Sequence, residues 1–136
     1  MATFFFADGY YGYDDALYAA IRLIDIIATS DFSLSDLLSE LPQMVNTPEV
    51  RIEVSEKRKF AIVEEVLAYA KADNLSINEV DGLRVNSNDG WWLLRASNTE
   101  AALVVRCESG DENGLDRLIK TVSKYLSRAG VVYKTS

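Results

Sequence analysis

The chain has 136 residues, 49% hydrophobic and 26% charged, which allows a sizeable core but leaves no uncharged apolar stretch of membrane-spanning length. Its formal net charge of −7 argues against nucleic acid and anionic membrane surfaces as partners, since both attract basic proteins. The absence of histidine excludes Ser–His and Cys–His nucleophile pairs, and the lone Cys107 excludes an internal disulfide and favours a reducing cytoplasm.

The first third of the chain is predicted to be helical and acidic. Up to Gln43 it carries seven acidic residues and a single basic one, Arg22. Over 14–28 the polar residues recur at helical spacing in one narrow stripe, which is typical of a helix buried on several sides. A shorter helix is predicted over 34–41, with Ser33 as its N-cap.

A linker is predicted after this helical part. The segment from Pro42 to Pro48 is rich in turn-forming residues, and the charge balance changes across it, because the rest of the chain carries 14 acidic and 13 basic residues. We therefore expect three parts: a helical piece over 1–43, a hinge linker over 44–48 and a separate domain over 49–136.

The third part alternates between strand and helix patterns. Apolar residues recur at every second position in the predicted strands and at helical spacing in the helices, and Asn88-Asp89-Gly90 is typical of a hairpin turn. The predicted strands cover 50–54, 77–80, 83–86, 91–95 and 102–108, and the predicted helices cover 56–72 and 112–128. In the first of these helices, the residues expected to face the core are Phe60, Val63, Val66, Leu67 and Ala70. The predicted fold class is α+β, a small antiparallel sheet with helices packed on one face.

One loop between two predicted strands carries the residue types of an anion site. Arg95 ends a strand, and Ser97, Asn98 and Thr99 follow it in a tight polar loop. A guanidinium fork, short hydroxyl and amide donors and exposed backbone N–H groups together suit two or more phosphate oxygens. From composition alone, an ordinary polar hairpin loop with a solvated arginine is the alternative.

The other polar and aromatic clusters are better explained by structure than by chemistry. Asp14 and Asp15 stand where a helix begins, so they are expected to favour its N-terminal dipole. The basic run 57–59 is expected to be a solvated face. Trp91 and Trp92 must point to opposite faces of one strand, so one is expected in the core and the other half-exposed, as a possible sugar platform.

The segments Asp81-Gly82-Leu83-Arg84-Val85, Asp89 to Glu100, and Leu103-Val104-Val105-Arg106 resemble the C-terminal domain of the α-D-phosphohexomutases. The stretch from Phe5 to Ala16 resembles the end of that family's third domain, and Asn46-Thr47-Pro48-Glu49 resembles the domain junction. The resemblance covers nearly the whole chain in the same order. It implies a C-terminal piece of a mutase, with the end of domain three followed by all of domain four.

The resemblance also implies an activity. Enzymes of this family move a phosphoryl group between C1 and C6 of a hexose, using a phosphoserine in domain one and a magnesium ion held by aspartates in domain two. Domain three reads the sugar hydroxyls, and domain four binds the phosphate that is not reacting. By this resemblance Arg95, Ser97, Asn98 and Thr99 are substrate-phosphate ligands.

The family's phosphoserine, metal and sugar-reading motifs do not occur in this sequence. Magnesium is therefore expected to bind outside the chain, and the chain alone is expected to be inactive. The expected partners are a hexose phosphate and the upstream domains of the parent enzyme.

Ala101 departs from the usual family sequence of the loop, and Asn98 stands at a position that differs between branches of the family. Ala101 follows Glu100 where a proline is usual, which removes a fixed φ and adds a backbone donor. Asn98 stands where the phosphoglucosamine branch generally has glycine, which favours the phosphomannomutase/phosphoglucomutase branch.

Two functions remain open at this point. The first is the substrate-phosphate-binding domain of a phosphomannomutase/phosphoglucomutase. The second is a non-catalytic α+β ligand-sensing or assembly module, in which the loop is an ordinary turn and the acidic helices bind a partner. The upstream coding sequence would distinguish them, because only the first requires the phosphoserine, metal and sugar-reading motifs there.

Overall fold

The structure, a computed structural model, describes residues 5–133. The chain divides into two units, Met1–Pro42 and Gln43–Ser136. Residues 1–4 and 134–136, which belong to the first and third predicted parts, lie outside the described residues.

The first unit contains helix α1 (Ala16–Thr29) and helix α2 (Leu34–Ser39). Asp15 caps α1, since its carboxylate accepts a hydrogen bond from the backbone N–H of Tyr18 at 2.9 Å, whereas Asp14, expected in the same role, forms a β-bridge with Phe5 instead. Ser33 caps α2 in a capping box with Asp36. No residue of α1 is buried, although its sequence pattern is that of a helix covered on several sides.

The second unit is an antiparallel sheet with two helices. Its strands are β1 (Val45–Asn46), β2 (Val50–Glu53), β3 (Ser76–Asn78), β4 (Leu83–Ser87), β5 (Gly90–Ala96) and β6 (Ala102–Ser109). Its helices are α3 (Lys59–Ala72) and α4 (Glu112–Arg128). The strand order is β1-β6-β5-β4-β3, and β2 also pairs with β6, so β1 and β2 share one edge of β6.

The core of this unit lies between the sheet and the two helices. Alternate residues of β4, β5 and β6 face it, together with the apolar stripes of α3 and α4. Trp92 is fully buried and stacks on Tyr125 of α4 with ring centroids 5.9 Å apart, whereas Trp91 is half-buried, as expected from their opposite directions. The predicted α+β architecture, with helices on one face of an antiparallel sheet, is confirmed.

The hairpin between β4 and β5 depends on one glycine. Gly90 has φ +130°, and a Cβ there would lie 2.1 Å from the carbonyl oxygen of Glu108 on β6. The absence of a side chain therefore lets two strands approach at this point.

The predicted linker over 44–48 includes ordered structure. Val45 and Asn46 form β1 against β6, and the next residue, Thr47, is buried. The Thr47 N–H donates to the Cys107 carbonyl at 3.0 Å, and the Thr47 hydroxyl accepts from the Cys107 N–H at the same distance. The composition of this segment predicts a turn and not a strand, because the strand depends on pairing with residues about 60 positions later in the chain.

Three predictions for the second unit are corrected by the structure. Phe60 is 57% exposed rather than in the core, and Lys59, expected to be solvated, is only 2% exposed. The buried positions of α3 begin one residue earlier than predicted, so the inward face runs through Lys59, Ile62, Val63, Val66 and Ala70. The predicted strand over 77–80 ends at Asn78, and Val80 is 91% exposed.

Candidate functional site

The loop 97–101 joins the end of β5 to the start of β6. The Ser97 N–H donates to the Ala102 carbonyl at 2.9 Å, which closes the base of the loop. The buried Ser97 hydroxyl oxygen accepts from the N–H groups of Thr99 at 3.4 Å and Glu100 at 3.2 Å. These bonds hold the loop in a tight turn without using the hydroxyl proton of Ser97.

The donors of this loop that point outward come from its middle. The side chains of Asn98 and Thr99 are exposed, and the Asn98 N–H makes no backbone hydrogen bond within residues 5–133. The loop therefore has exposed amide and hydroxyl groups and an unpaired backbone donor on neighbouring residues, the residue types that an anion site uses.

Arg95 lies beside this loop on β5. In the sheet register it pairs with Val104 of β6, and Val104 pairs with Arg51 of β2, so the three side chains share the face opposite the helices. The Arg95 side chain is 28% exposed, and its Nη2 lies 3.9 Å from Glu49 Oε2. Gly82 permits this packing, because a Cβ there would lie 2.7 Å from the Cβ of Arg95.

Two further cations contact the loop, and neither was among the residues predicted for the site. Arg51 Nη1 donates to the Glu100 carboxylate at 2.6 Å, while its Nη2 donates to Glu49 at 2.7 Å. The hydrogen bond and charge of Glu100, followed by those of Glu49, raise the pKa of Arg51. Lys59 Nζ donates to the Glu100 carbonyl at 3.1 Å and forms an ion pair with Glu56 at 2.6 Å.

A depression of about 280 Å³ lies between α3 and this end of the sheet, and both Arg95 and Asn98 line it. Its lining also includes the acidic residues Glu64, Glu79 and Asp81, of which Glu79 is paired with Lys71 at 2.8 Å, so its charge is unfavourable for a phosphate. Ser97 and Thr99 do not line it. The four predicted site residues thus lie together at one end of β5, and two of them, Arg95 and Asn98, line this depression.

The other residues with chemical potential have structural surroundings. The Arg84 guanidinium lies 4.3 Å from the ring centroid of Trp91, and the Trp91 indole N–H donates to Glu108 at 3.2 Å, so one face of the ring is already occupied. Burial raises the pKa of the Cys107 thiol to about 12, as expected of a core cysteine.

Within residues 5–133, no group of three or more acidic or cysteine side chains is arranged to hold a metal ion. In the same range, no helix is long and apolar enough to cross a membrane.

Comparison with known families shows the family to which the chain belongs. Residues 49–124 match the model of the phosphoglucomutase/phosphomannomutase C-terminal domain, a match that contains β2, the loop and most of α4. The chain belongs to this family. The predicted resemblance to a phosphohexomutase C-terminal domain is thereby confirmed.

Individual members of the phosphoglucomutase/phosphomannomutase family extend the match beyond this domain. The chain is 41% identical over 118 residues to the phosphomannomutase/phosphoglucomutase of Pseudomonas aeruginosa, which covers 87% of the chain and 25% of that protein. It is 40% identical over 116 residues to the phosphoglucomutase of Neisseria gonorrhoeae, covering 84% of the chain and 25% of that protein. The chain thus spans about a quarter of the length of these relatives.

A crystal structure shows the same fold. A phosphoglucomutase/phosphomannomutase family protein from Burkholderia thailandensis superposes with a TM-score of 0.80 at 35% identity, over 94% of this chain and 27% of that one. A probable phosphoglucosamine mutase of Methanocella arvoryzae is less similar, at 29% identity, which agrees with the branch that Asn98 favours.

Proposed function

We propose that this chain is the C-terminal substrate-phosphate-binding domain of a phosphomannomutase/phosphoglucomutase, an enzyme that interconverts hexose 1-phosphate and hexose 6-phosphate. The observation that supports this most directly is the placement of Arg95 beside a loop whose middle residues present free donors. The site binds and orients the phosphate that is not reacting, and breaks no bond itself.

The proposed division of labour follows from the chemistry of each donor. Arg95 supplies two parallel N–H groups to two phosphate oxygens, a geometry that also fixes the direction of the sugar. Ser97 supplies its unused hydroxyl proton, while Asn98 and Thr99 supply side-chain donors and the free Asn98 N–H. Holding the distal phosphate in one position lowers the entropic cost of bringing the other end of the sugar to a reacting group.

The remaining chemistry of such an enzyme is proposed to lie outside this chain. The described residues do not fit a magnesium site, since no three of their carboxylates are arranged so that they could hold one metal ion. A magnesium ion and a phosphoryl-donating serine would come from upstream domains, which are the proposed partners along with the hexose phosphate. A reducing cytoplasm would suit a chain with one buried thiol.

We place a proposed hinge between the two units at Pro42–Met44 rather than over 44–48. Val45 and Asn46 are paired with β6, and Thr47 is hydrogen bonded to it, so backbone rotation at 45–47 would break those contacts. Movement at 42–44 would carry the whole sheet and its phosphate loop together.

The experiment is a titration of the 136-residue chain with glucose 6-phosphate, mannose 6-phosphate or unphosphorylated mannose, followed by amide chemical shifts. We expect both phosphates to shift the resonances of residues 95–100 with a dissociation constant on the order of millimolar, since the loop is open to water and salt. Arg95→Ala should abolish these shifts, and Arg95→Lys should weaken them, because an ammonium keeps the charge but loses the fork.

Arg84→Ala is the matched control, since it removes a guanidinium from the same sheet face but not from the loop. Shifts that persist in Arg95→Ala, or that cluster on the helices instead, would show that the loop is only a turn.

A further inference from the structure

The guanidinium groups of Arg51 and Arg95 share one carboxylate, that of Glu49. Glu49 Oε1 accepts from Arg51 at 2.7 Å, and Glu49 Oε2 lies 3.9 Å from Arg95. The other side of Arg51 is bound to Glu100 in the loop. Two cations and two carboxylates therefore balance each other beside the candidate phosphate site.

The Glu49 carboxylate lies where an anion can contact both arginines at once. Arg51 and Arg95 flank Val104 in the sheet register, and the Glu49 oxygens reach toward one guanidinium each. The depression on the helix side of Arg95 is lined by three carboxylates, so the favourable approach for an anion is from the Glu49 side.

The Glu49 contacts are of a kind that a ligand can replace. The side chains of Glu49 and Arg51 are 42% and 47% exposed, and exposed ion pairs contribute little net free energy because water and salt screen them. A phosphate dianion carries twice the charge of a carboxylate and has three oxygens that can accept from both guanidinium groups.

We propose that Glu49 occupies the phosphate position in the ligand-free chain, that substrate phosphate displaces its carboxylate, and that Arg51 is then a second cationic phosphate ligand beside Arg95. This inference rests on the proposed phosphate site and adds to it a competing internal anion and one binding residue. Glu49 lowers the affinity of the site, and its removal leaves Glu100 as the one carboxylate among residues 5–133 that is paired with either arginine.

The test compares the dissociation constant of glucose 6-phosphate for single variants of the 136-residue chain, measured from the shifts of residues 95–100. Glu49→Gln should tighten binding about two- to fivefold, the range expected for removing an exposed ion-pair competitor. Arg51→Gln should weaken binding by a similar factor.

Glu53→Gln and Arg84→Gln are the matched controls. Glu53 is an exposed carboxylate on the same strand as Arg51 and has no ion-pair partner among residues 5–133, and Arg84 is a cation on the same sheet face. Both controls change the net charge by the same amount as their counterparts and should leave the affinity within error of the wild type.

The outcomes separate this inference from the proposed function. Unchanged or weaker binding in Glu49→Gln, or unchanged binding in Arg51→Gln, overturns the inference even if Arg95→Ala abolishes binding. An equal gain in affinity for glucose 6-phosphate in Glu53→Gln also overturns the inference, because the gain would then come from the change in net charge. If glucose 6-phosphate does not shift the loop resonances of the wild-type chain, the proposed function and this inference are both overturned.

Discussion

The buried ammonium group of Lys59, at the start of α3, donates a hydrogen bond to the backbone carbonyl of Glu100 at 3.1 Å. The Lys59 side chain is only 3% exposed, yet its charge is compensated by Glu56 at 2.6 Å. The last turn of the candidate phosphate loop is thus attached to a helix that forms part of the core. This contact adds to the backbone hydrogen bond between Ser97 and Ala102 that closes the loop.

Replacing Lys59 by methionine should therefore loosen the loop. The Glu100 carbonyl would lose its donor, so we expect the free energy of unfolding to fall by about 1–3 kcal/mol and the amides of 97–101 to exchange faster. Lys57→Met is the control, because Lys57 is an exposed member of the same basic run. Hydrogen exchange by NMR measures both effects. Equal protection of the loop in Lys59→Met and the wild type would contradict this role.

A hydrogen bond between the C-cap residue of α3 and a side chain of α4 predicts that stability depends on pH. The Tyr125 hydroxyl donates to Asp73 at 2.6 Å, and this bond, supported by Arg128, lowers the pKa of Asp73. A lowered folded-state pKa stabilises the fold above the unfolded pKa of the carboxyl, and this stabilisation is lost as pH falls through the folded value. Asp73→Asn should thus be less stable than the wild type at pH 7, and the difference should shrink below about pH 4.

Urea unfolding at several pH values measures this difference, with Asp116→Asn, an exposed carboxylate on α4, as the control. At the alkaline end, burial and the Asp73 bond raise the pKa of Tyr125 to about 12. The Tyr125 contribution should therefore be complete below about pH 10 and be lost as pH rises toward 12. A stability difference that stays constant from pH 3 to pH 7 would show that Asp73 contributes nothing through its charge.

Gly90 should tolerate no side chain. Gly90→Ala places a Cβ 2.1 Å from the Glu108 carbonyl oxygen at a backbone φ of +130°, so we expect a loss of at least about 2 kcal/mol in thermal or urea unfolding. Gly110→Ala is the paired control, because no atom lies within 4 Å of a Cβ there. Similar stabilities for the two variants would mean that the hairpin adjusts without cost.

The two units should differ in protection from amide exchange. No residue of α1 is buried, whereas α4 buries six residues, including Leu118 and Val122. Helix stability in proteins comes mainly from such burial, so α1 should exchange faster than α4. Equal or greater protection in α1 would show that the two units unfold as one.

The chain alone should not turn over hexose phosphates. A coupled assay with magnesium and glucose 1,6-bisphosphate should give no rate above background with glucose 1-phosphate or mannose 1-phosphate, because the proposed phosphoryl donor and metal ligands are not in this sequence. Genuine turnover by the purified chain would refute the proposed division of labour.

Local patterns predicted the regular elements well where one face of an element is apolar. Helix α4 was predicted with the bounds that the structure shows, because its apolar stripe is continuous over 112–128 and Gly130, which has a positive φ, follows its end. The Asn88-Asp89-Gly90 turn followed from local chemistry in the same way.

Local patterns failed where the deciding partner is distant in sequence. Lys59 belongs to a basic run, and only the carbonyl of Glu100 and the carboxylate of Glu56 make its burial acceptable. β1 was missed because its hydrogen-bond partners are on β6. Arg95 and its loop could be singled out as a candidate site from residue types, but Arg51 and Glu49 enter it only through the strand register.

Because Cys107 is buried in the sheet, its reactivity reports when the second unit opens. It lies fully buried on β6, the strand that joins β1 and β2 to β5, and burial raises its pKa to about 12, so almost none of it is thiolate at neutral pH. A thiol reagent can react only when that strand is exposed. Since the chain has one cysteine, the labelling rate would time the opening of the second unit, in which Cys107 lies.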